Sequence, residues 1–294
     1  MSEKRIKIRI ISPSGVINPE YIDGAAHILR TWGFDVSEGR FARAAYGRFA
    51  GTDEKRIADL QSALNDKELD AVLCSRGGYG LARIIDKIDF SELKQYPKWI
   101  IGFSDITVLH NILSNMNIPS IHGIMAKHLT ELTVDSLPVD YLRKILQGEY
   151  PFYEIPAVPE NRNGAAKGIL IGGNLSVLMG LRGSSYDLHY NDAILFIEDI
   201  GEQLYHVDRI LQNLRLGGVF AQLSGLIVGH FTDCGEDPLM KMSLREMVLN
   251  AVADYDFPVC FGFPSGHEDV NYPLILGREV QLNVNEEKSQ LDFR

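Results

Sequence analysis

A serine, an acidic residue and a histidine each follow a run of residues that is typical of a β-strand. Ser104 comes after the apolar run KWIIGF, Glu198 comes directly after AILFI, and His267 lies in a loop after PVCFGF. The carboxyl ends of parallel strands form the ligand-binding edge of an α/β sheet, so we expect these side chains at such an edge. Together they could cleave an amide or ester: the histidine takes the serine proton, and the acid orients the imidazole.

Ser104 also has a simpler interpretation. The residues after it indicate a helix, because Ile106, Leu109, Ile112 and Leu113 recur at helical spacing. A serine at a helix start can accept a hydrogen bond from a free backbone N–H, which would make Ser104 a helix cap. A strand-to-helix corner can equally raise a hydroxyl above the sheet and leave unpaired N–H groups beside it, as a nucleophile requires. The stretch by itself favours the cap.

The acid and the histidine have alternatives as well. Asp199 and Glu202 lie close to Glu198, and acidic residues at a helix start interact favourably with the helix dipole. Glu198 is the one nearest the strand, and the following helix explains its position least. A histidine in a loop, such as His267, can be an ordinary surface residue.

A glycine-rich corner, SRGGYG, occupies residues 75–80 after the strand-like DAVLC. Paired glycines can form a simple tight turn. They can also let bare backbone N–H groups approach an anion, although the pattern matches neither a dinucleotide-binding nor a phosphate-binding motif. With Ser104 as nucleophile, the N–H groups of Gly78 and Asp105 could form an oxyanion hole, each donor contributing about 3 kcal/mol.

Composition excludes several classes of protein. The chain has 294 residues, 45% of them hydrophobic, and a net charge of −10. This acidic balance argues against a nucleic-acid partner, which needs clustered positive charge. The sequence contains no secretory signal pattern and no apolar run long enough to span a membrane, so we expect a cytoplasmic protein that does not bind membranes. Cys74, Cys234 and Cys260 are isolated, which is typical of reduced thiols in a core.

The chain divides into two α/β halves. From residue 5 to about 125, strand-like runs alternate with helical patterns, which predicts a parallel sheet covered by helices. LARIIDKI is among these helical patterns, and a further helix is predicted near residues 135–146. The second half predicts a mixed α/β domain with some antiparallel pairing, including a long helix over about 238–255. We therefore expect an N-terminal domain over 1–148, a connection over 149–166 and a C-terminal domain over 167–294.

The histidines do not indicate a metal site. The spacings of His110, His122, His128, His206 and His267 include no HExxH or comparable pattern. We therefore expect catalysis without a metal or another cofactor.

Five segments together resemble the LD-carboxypeptidase family of serine peptidases, which includes murein tetrapeptide carboxypeptidases and microcin-immunity peptidases. The resemblance covers nearly the whole chain, and its motifs occur in the family's order and at its approximate spacing. The segments are SRGGYG at 75–80, GFSD at 102–105, GILIGGNLSVL at 168–178, LFIEDIGEQLYHVDRIL at 195–211 and GHEDVNYPLILG at 266–277. Ile106 stands where the GxSxG elbow of α/β-hydrolases has its last glycine, so that fold is not predicted.

The resemblance implies a nucleophile on the N-terminal domain and an acid and histidine on the C-terminal domain, with the active site in the cleft between them. Carried over residue by residue, Ser104 is the nucleophile, Glu198 the acid and His267 the base. The implied reaction is metal-free hydrolysis of an amide between an L-centre and a terminal D-residue, typically D-alanine of a cell-wall tetrapeptide. A homodimer is implied too.

A carboxypeptidase must recognise the substrate's terminal carboxylate, and in an acidic protein a specific cation or a set of N–H groups has to do so. Arg76, beside the glycine corner, is the candidate, with a structural salt bridge as its alternative. Two other functions remain open: a microcin-type detoxifying amidase with the same catalytic residues, and a non-catalytic protein that closes two domains over a small ligand.

Overall fold

The computed structural model describes residues 5–235 and 237–294. Its strands are arranged in two sheets with helices against them. In chain order the strands are β1 Lys7–Ile11, β2 Asp35–Glu38, β3 Ala71–Cys74, β4 Trp99–Gly102, β5 Ser120–His122, β6 Phe152–Pro156, β7 Gly164–Asn174, β8 Ala193–Ile200, β9 Leu223–Thr232, β10 Val259–Phe261, β11 Leu274–Leu276, β12 Glu279–Val284 and β13 Lys288–Asp292. The helices are α1 Pro19–Thr31, α2 Asp53–Asn65, α3 Ser91–Gln95, α4 Thr107–Asn115, α5 Ala126–Glu131, α6 Leu137–Leu146, α7 Leu175–Leu181, α8 Leu204–Leu216 and α9 Leu244–Ala251.

The first sheet has the strand order β11-β5-β4-β3-β1-β2. Strands β1 to β5 pair in parallel, and β11 adds an antiparallel edge beside β5. The short central strands β3 and β5 are buried along their whole length, as expected for a sheet covered on both faces. The carboxyl ends of β3 and β4 lead directly into the glycine-rich corner and into Ser104.

The second sheet has the order β10-β9-β8-β7-β12-β13-β6. Strands β7 to β10 are parallel, whereas β12, β13 and β6 extend the sheet in antiparallel pairing. The predicted α/β class, with a parallel first sheet and a mixed second sheet, is confirmed. No helix in the described ranges is both long and apolar enough to cross a bilayer.

One strand of the C-terminal half joins the first sheet, and the predicted connection is part of the second. The segment predicted as a connection, 149–166, contributes β6 to the second sheet, and β11 from the C-terminal half pairs with β5 of the first. The proposed division at 148 and 166 stays a prediction. A single apolar cluster runs from Ile101 and Ile121 of the first sheet to Phe196 and Phe263 of the second half. The sheets are therefore held together by a shared core.

Two predicted helices are wrong. LARIIDKI forms two short 3₁₀ turns, Leu81–Arg83 and Ile85–Lys87, because the backbone leaves the helical region at Ile84, with φ −123° and ψ −11°. This break lets Leu81, Ile84 and Ile85 all face the core. The predicted helix over 238–255 is α9 only, since a capping box between Ser243 and Glu246 begins the helix at Leu244.

Three histidines lie near the end of β4: His110 and His122 are buried, and His128 is half-buried. His110 bonds Ser120 Oγ and the carbonyl of Gly102 at 2.8 Å each, whereas neither ring nitrogen of His122 has a hydrogen-bond partner among the described residues. Burial lowers the pKa of His110 and of His128 to about 4 and holds the pKa of His122 well below its usual value. All three rings are therefore neutral in the folded protein at neutral pH.

Gly172 provides a test of how β7 and β8 pack. A Cβ at this position would overlap the carbonyl oxygen of Phe196, and φ is +124°. We expect Gly172→Ala to lower the free energy of unfolding by about 3 kcal/mol or more, measured by urea denaturation. The matched change Gly180→Ala, at an exposed position of α7 where a Cβ meets nothing within 4 Å, should raise it by about 0.5–1 kcal/mol. Equal effects of the two changes would contradict the packing.

The buried histidines predict acid sensitivity. A histidine whose folded pKa is below its unfolded value of about 6.5 stabilises the fold above that pH, and this stability is lost as the pH falls from about 6.5 towards 4. Each such ring contributes a slope of about 1.4 kcal/mol per pH unit. Urea unfolding at several pH values should show the loss, with a shallower slope for His110→Gln than for the wild type. Equal slopes in the wild type and His110→Gln would refute the effect.

Candidate active site

The corner after β4 holds Ser104 in a left-handed backbone conformation. Its φ is +64°, which is unfavourable for a non-glycine residue and characteristic of strained functional positions. A 3₁₀ turn, Ser104–Ile106, follows and continues into α4. Neither element is capped by a side-chain hydrogen bond from the described residues, so the interpretation of Ser104 as a helix cap is wrong.

The glycine-rich corner lies directly against Ser104. A Cβ at Gly77 would come within 2.7 Å of Ser104 Cβ, so only glycine permits this approach. The N–H of Gly15 donates to the carbonyl oxygen of Gly77 at 2.9 Å. Because the peptide is trans, this bond turns the N–H of Gly78 away from Gly15. Gly78 itself has φ +98° and lines the same pocket as Ser104.

His267 is hydrogen-bonded to Glu198. The distance from Nδ1 to Glu198 Oε2 is 2.6 Å, and Glu198 is fully buried at the end of β8. The ring of His267 packs against Phe103, the residue before Ser104, with centroids 4.8 Å apart. Burial raises the pKa of Glu198, while the bond to His267 opposes that shift. The bond fixes the ring orientation and occupies Nδ1, so Nε2 is the ring nitrogen that Glu198 does not engage.

The three neighbouring acids have different partners. Asp199 accepts hydrogen bonds from the side chains of Asn174 and Ser176 and from the N–H of Ser176, at the start of α7. Glu202 bonds Ser176 Oγ at 2.9 Å with one oxygen and His206 Nδ1 with the other. Of the three, Glu198 is the one in contact with His267.

A pocket of about 650 Å³ brings these corners together. Ser104, Gly78 and Arg76 line it from the N-terminal half, and His267 and Ile200 line it from the C-terminal half. Arg76 is exposed, and its Nη1 donates to the carbonyl of Val16 at 2.6 Å. A hydroxyl, an imidazole and a buried carboxylate arranged in this way are suited to nucleophilic acyl transfer.

Sequence reasoning missed several residues around the pocket. Lys127 and His128 line it, Arg56 donates to the carbonyl of Gly80 in the glycine-rich corner, and Ser14 donates to the carboxylate of Asp105. The signal for Ser14 was SPSG, the strand exit after β1, which has the same polar and glycine composition as the other exits. Arg56 had no comparable signal, because a lone arginine on a helix is usually exposed.

Across 5–235 and 237–294, no three His, Cys, Asp or Glu residues are grouped so that they could hold a metal ion.

Comparison with known proteins identifies the family of the chain. Residues 8–123 match the model of the LD-carboxypeptidase N-terminal domain, and residues 167–282 match that of the LD-carboxypeptidase C-terminal domain. The protein named "Probable murein peptide carboxypeptidase" from Bacillus subtilis is 31% identical, with 97% of this chain and 91% of the relative covered. The murein tetrapeptide carboxypeptidase of Pseudomonas aeruginosa is 30% identical, with 95% of this chain and 94% of the relative covered.

A solved structure has the same architecture. The muramoyltetrapeptide carboxypeptidase from Oxalobacter formigenes superposes with a TM-score of 0.89 at 26% identity, covering 97% of this chain and 98% of that one. Both family models together match most of the chain, in the order in which its two halves occur. The chain belongs to the LD-carboxypeptidase family.

Proposed function

We propose that the protein is a metal-independent serine carboxypeptidase that releases terminal D-alanine from murein tetrapeptides in the cytoplasm, during cell-wall recycling. The observation that carries this proposal is the pocket in which strained Ser104 lies with His267, whose Nδ1 is held by Glu198. The relatives that act on murein peptides support the substrate class. The homodimer that the family resemblance implies stays a prediction.

In the proposed mechanism Ser104 Oγ attacks the carbonyl carbon of the scissile L,D-amide. Nε2 of His267 takes the hydroxyl proton, because Nδ1–H is donated to Glu198 Oε2. Collapse of the tetrahedral intermediate breaks the C–N bond, and the imidazolium gives its proton to the leaving amino group of D-alanine. Water then attacks the acyl-enzyme by the same route, which regenerates Ser104 and releases the tripeptide carboxylate.

Glu198 stabilises the imidazolium and keeps the ring in the required tautomer. Its complete burial strengthens this interaction, since the pair is shielded from water. The oxyanion would be bound by the backbone N–H groups of Gly78 and Asp105. The bond from Gly15 to the carbonyl of Gly77 supports the role of Gly78, because it turns that N–H away from Gly15.

Arg76 is proposed to bind the terminal carboxylate of the substrate. Its guanidinium lines the pocket, and the bond from Nη1 to Val16 orients the group while its other N–H groups can donate elsewhere. A guanidinium can hold a carboxylate with two parallel hydrogen bonds. This contact would limit cleavage to the last residue of the peptide.

Ser104→Ala tests the nucleophile. We expect release of D-alanine from a tetrapeptide to fall by at least about 10³-fold, because the covalent step is lost. The free energy of unfolding should change by about 1 kcal/mol or less, because the serine caps no helix. Mass spectrometry of the peptide products gives the rate, with surface Ser91→Ala as control. Near-normal turnover by Ser104→Ala would refute the serine mechanism.

The same assay tests substrate recognition and metal independence. A tetrapeptide with an amidated terminus, or one extended to D-Ala-D-Ala, should be cleaved at least about tenfold less efficiently, equivalent to about 1.4 kcal/mol of transition-state binding. Equal rates on all three peptides would instead indicate a broader amidase of the microcin type.

Metal independence is tested by dialysis against a chelator. The rate of cleavage should be unchanged, and a loss of activity that added zinc restores would contradict the mechanism.

The assignment of the acid is tested by three conservative changes. Glu198→Gln should lower kcat by up to about 10⁴-fold, since the amide no longer stabilises the correct tautomer and charge. Asp199→Asn should mainly lower the melting temperature, because it weakens the start of α7, and Glu202→Gln should have a small effect on both. Steady-state kinetics and thermal melts of the three variants provide the comparison. A larger loss of kcat in Asp199→Asn would assign the role to Asp199.

A further inference from the structure

Asp105 follows Ser104 directly in the chain but is not among the residues that line the pocket. It is 3% exposed, and Oδ2 accepts hydrogen bonds from Ser14 Oγ at 2.6 Å and from the N–H of Leu81 at 2.9 Å. The N–H of Gly80 also faces this carboxylate. One buried carboxylate thus joins three segments: the exit of β1, the end of the glycine-rich corner, and the turn that carries Ser104.

A second buried charge also links the exit of β1 to the end of the glycine-rich corner. Arg56, on α2, is 1% exposed, and its Nη1 donates to the carbonyls of Pro13 and Gly80 at 2.9 Å each. Nη2 is paired with Asp53. The glycine-rich corner is therefore tied to the exit of β1 at both of its ends, by Arg56 at Gly80 and by the N–H of Gly15 at Gly77.

These contacts bear on the two proposed oxyanion donors. One is the N–H of Asp105 itself, and the other, Gly78, lies in the loop that the Asp105 side chain holds through Gly80 and Leu81. An oxyanion hole acts only when its donors lie about 2.7–3.1 Å from the developing charge, so their relative position must be maintained to a few tenths of an ångström.

We propose that the Asp105 carboxylate is a positioning residue for the oxyanion hole. It sets the position of the N–H of Gly78 relative to the N–H of Asp105. This inference rests on the proposed function. The carboxylate does not touch the substrate: it acts through the loop of residues 77–81. Ser14 is the third member of the arrangement, since its hydroxyl fixes the orientation of the same carboxylate oxygen.

The test is Asp105→Asn, which keeps the shape but removes the charge and replaces one acceptor oxygen by an NH₂ group. We expect kcat for tetrapeptide cleavage to fall at least about tenfold with KM within about threefold, because an oxyanion hole stabilises the transition state and not the bound substrate. The rate at which a serine-directed phosphonate labels Ser104 should fall by the same factor, since its adduct needs the same donors.

Asp59→Asn is the matched control. Asp59 is also buried in the N-terminal half, 6% exposed, and accepts a hydrogen bond from the N–H of Phe41 at 2.8 Å. Its variant should lose stability to a similar extent while keeping kcat within about twofold. If Asp105→Asn does not fold, Ser14→Ala, which removes one donor, should lower kcat about three- to tenfold with KM unchanged.

Wild-type labelling separates the two proposals. If the phosphonate labels wild-type Ser104 and Asp105→Asn keeps kcat within twofold, or changes KM alone, the positioning role is refuted while the proposed function stands. If Asp105→Asn does not fold and Ser14→Ala is used in its place, an unchanged kcat in Ser14→Ala also refutes the positioning role. If wild-type Ser104 is neither labelled nor needed for cleavage, the proposed function fails and the positioning role fails with it.

Discussion

The hydrogen bond between Glu198 and His267 is the interaction on which the site depends. A fully buried carboxylate is unfavourable unless a hydrogen-bonding partner compensates for the lost water, and His267 provides that partner at 2.6 Å. Oε1 of Glu198 has no partner among the described residues, so this one bond is the principal compensation. The loop after β10 is thereby held against the end of β8, and the imidazole is directed towards the pocket.

The opposite wall of the pocket depends on backbone geometry. Ser104 adopts a left-handed conformation that costs on the order of 1–2 kcal/mol, and the absence of a side chain at Gly77 allows the glycine-rich corner to pack directly onto it. Asp105 and Arg56 supply the buried hydrogen bonds that hold this strained arrangement. The contacts that stabilise the strained backbone at Ser104 therefore lie within the N-terminal half.

The two walls are joined by packing between the sheets. Thr107, in the first turn of α4, accepts a hydrogen bond at 3.0 Å from the N–H of Asn174 at the end of β7. Gly173 has no room for a Cβ beside Thr107, so α4, the helix that follows Ser104, lies close to the second sheet. Together with the shared apolar cluster, this contact sets the distance between the halves that carry Ser104 and His267.

The alternation of strands and helices and the polar residues at strand exits were predictable from the sequence, because both depend on local periodicity and on the chemistry of turns. The sequence also carried the family resemblance, through motifs whose order spans the chain. Three-dimensional contacts were needed to show that Glu198 is the acid bonded to His267. Glu198 and Asp199 are adjacent in β8 and point to opposite faces of the sheet, and Glu202 lies just beyond the strand, so local composition treats the three acids alike. The break at Ile84, the pairing of β11 with β5 and the burial of Arg56 also depend on contacts between residues distant in sequence, which local patterns do not encode.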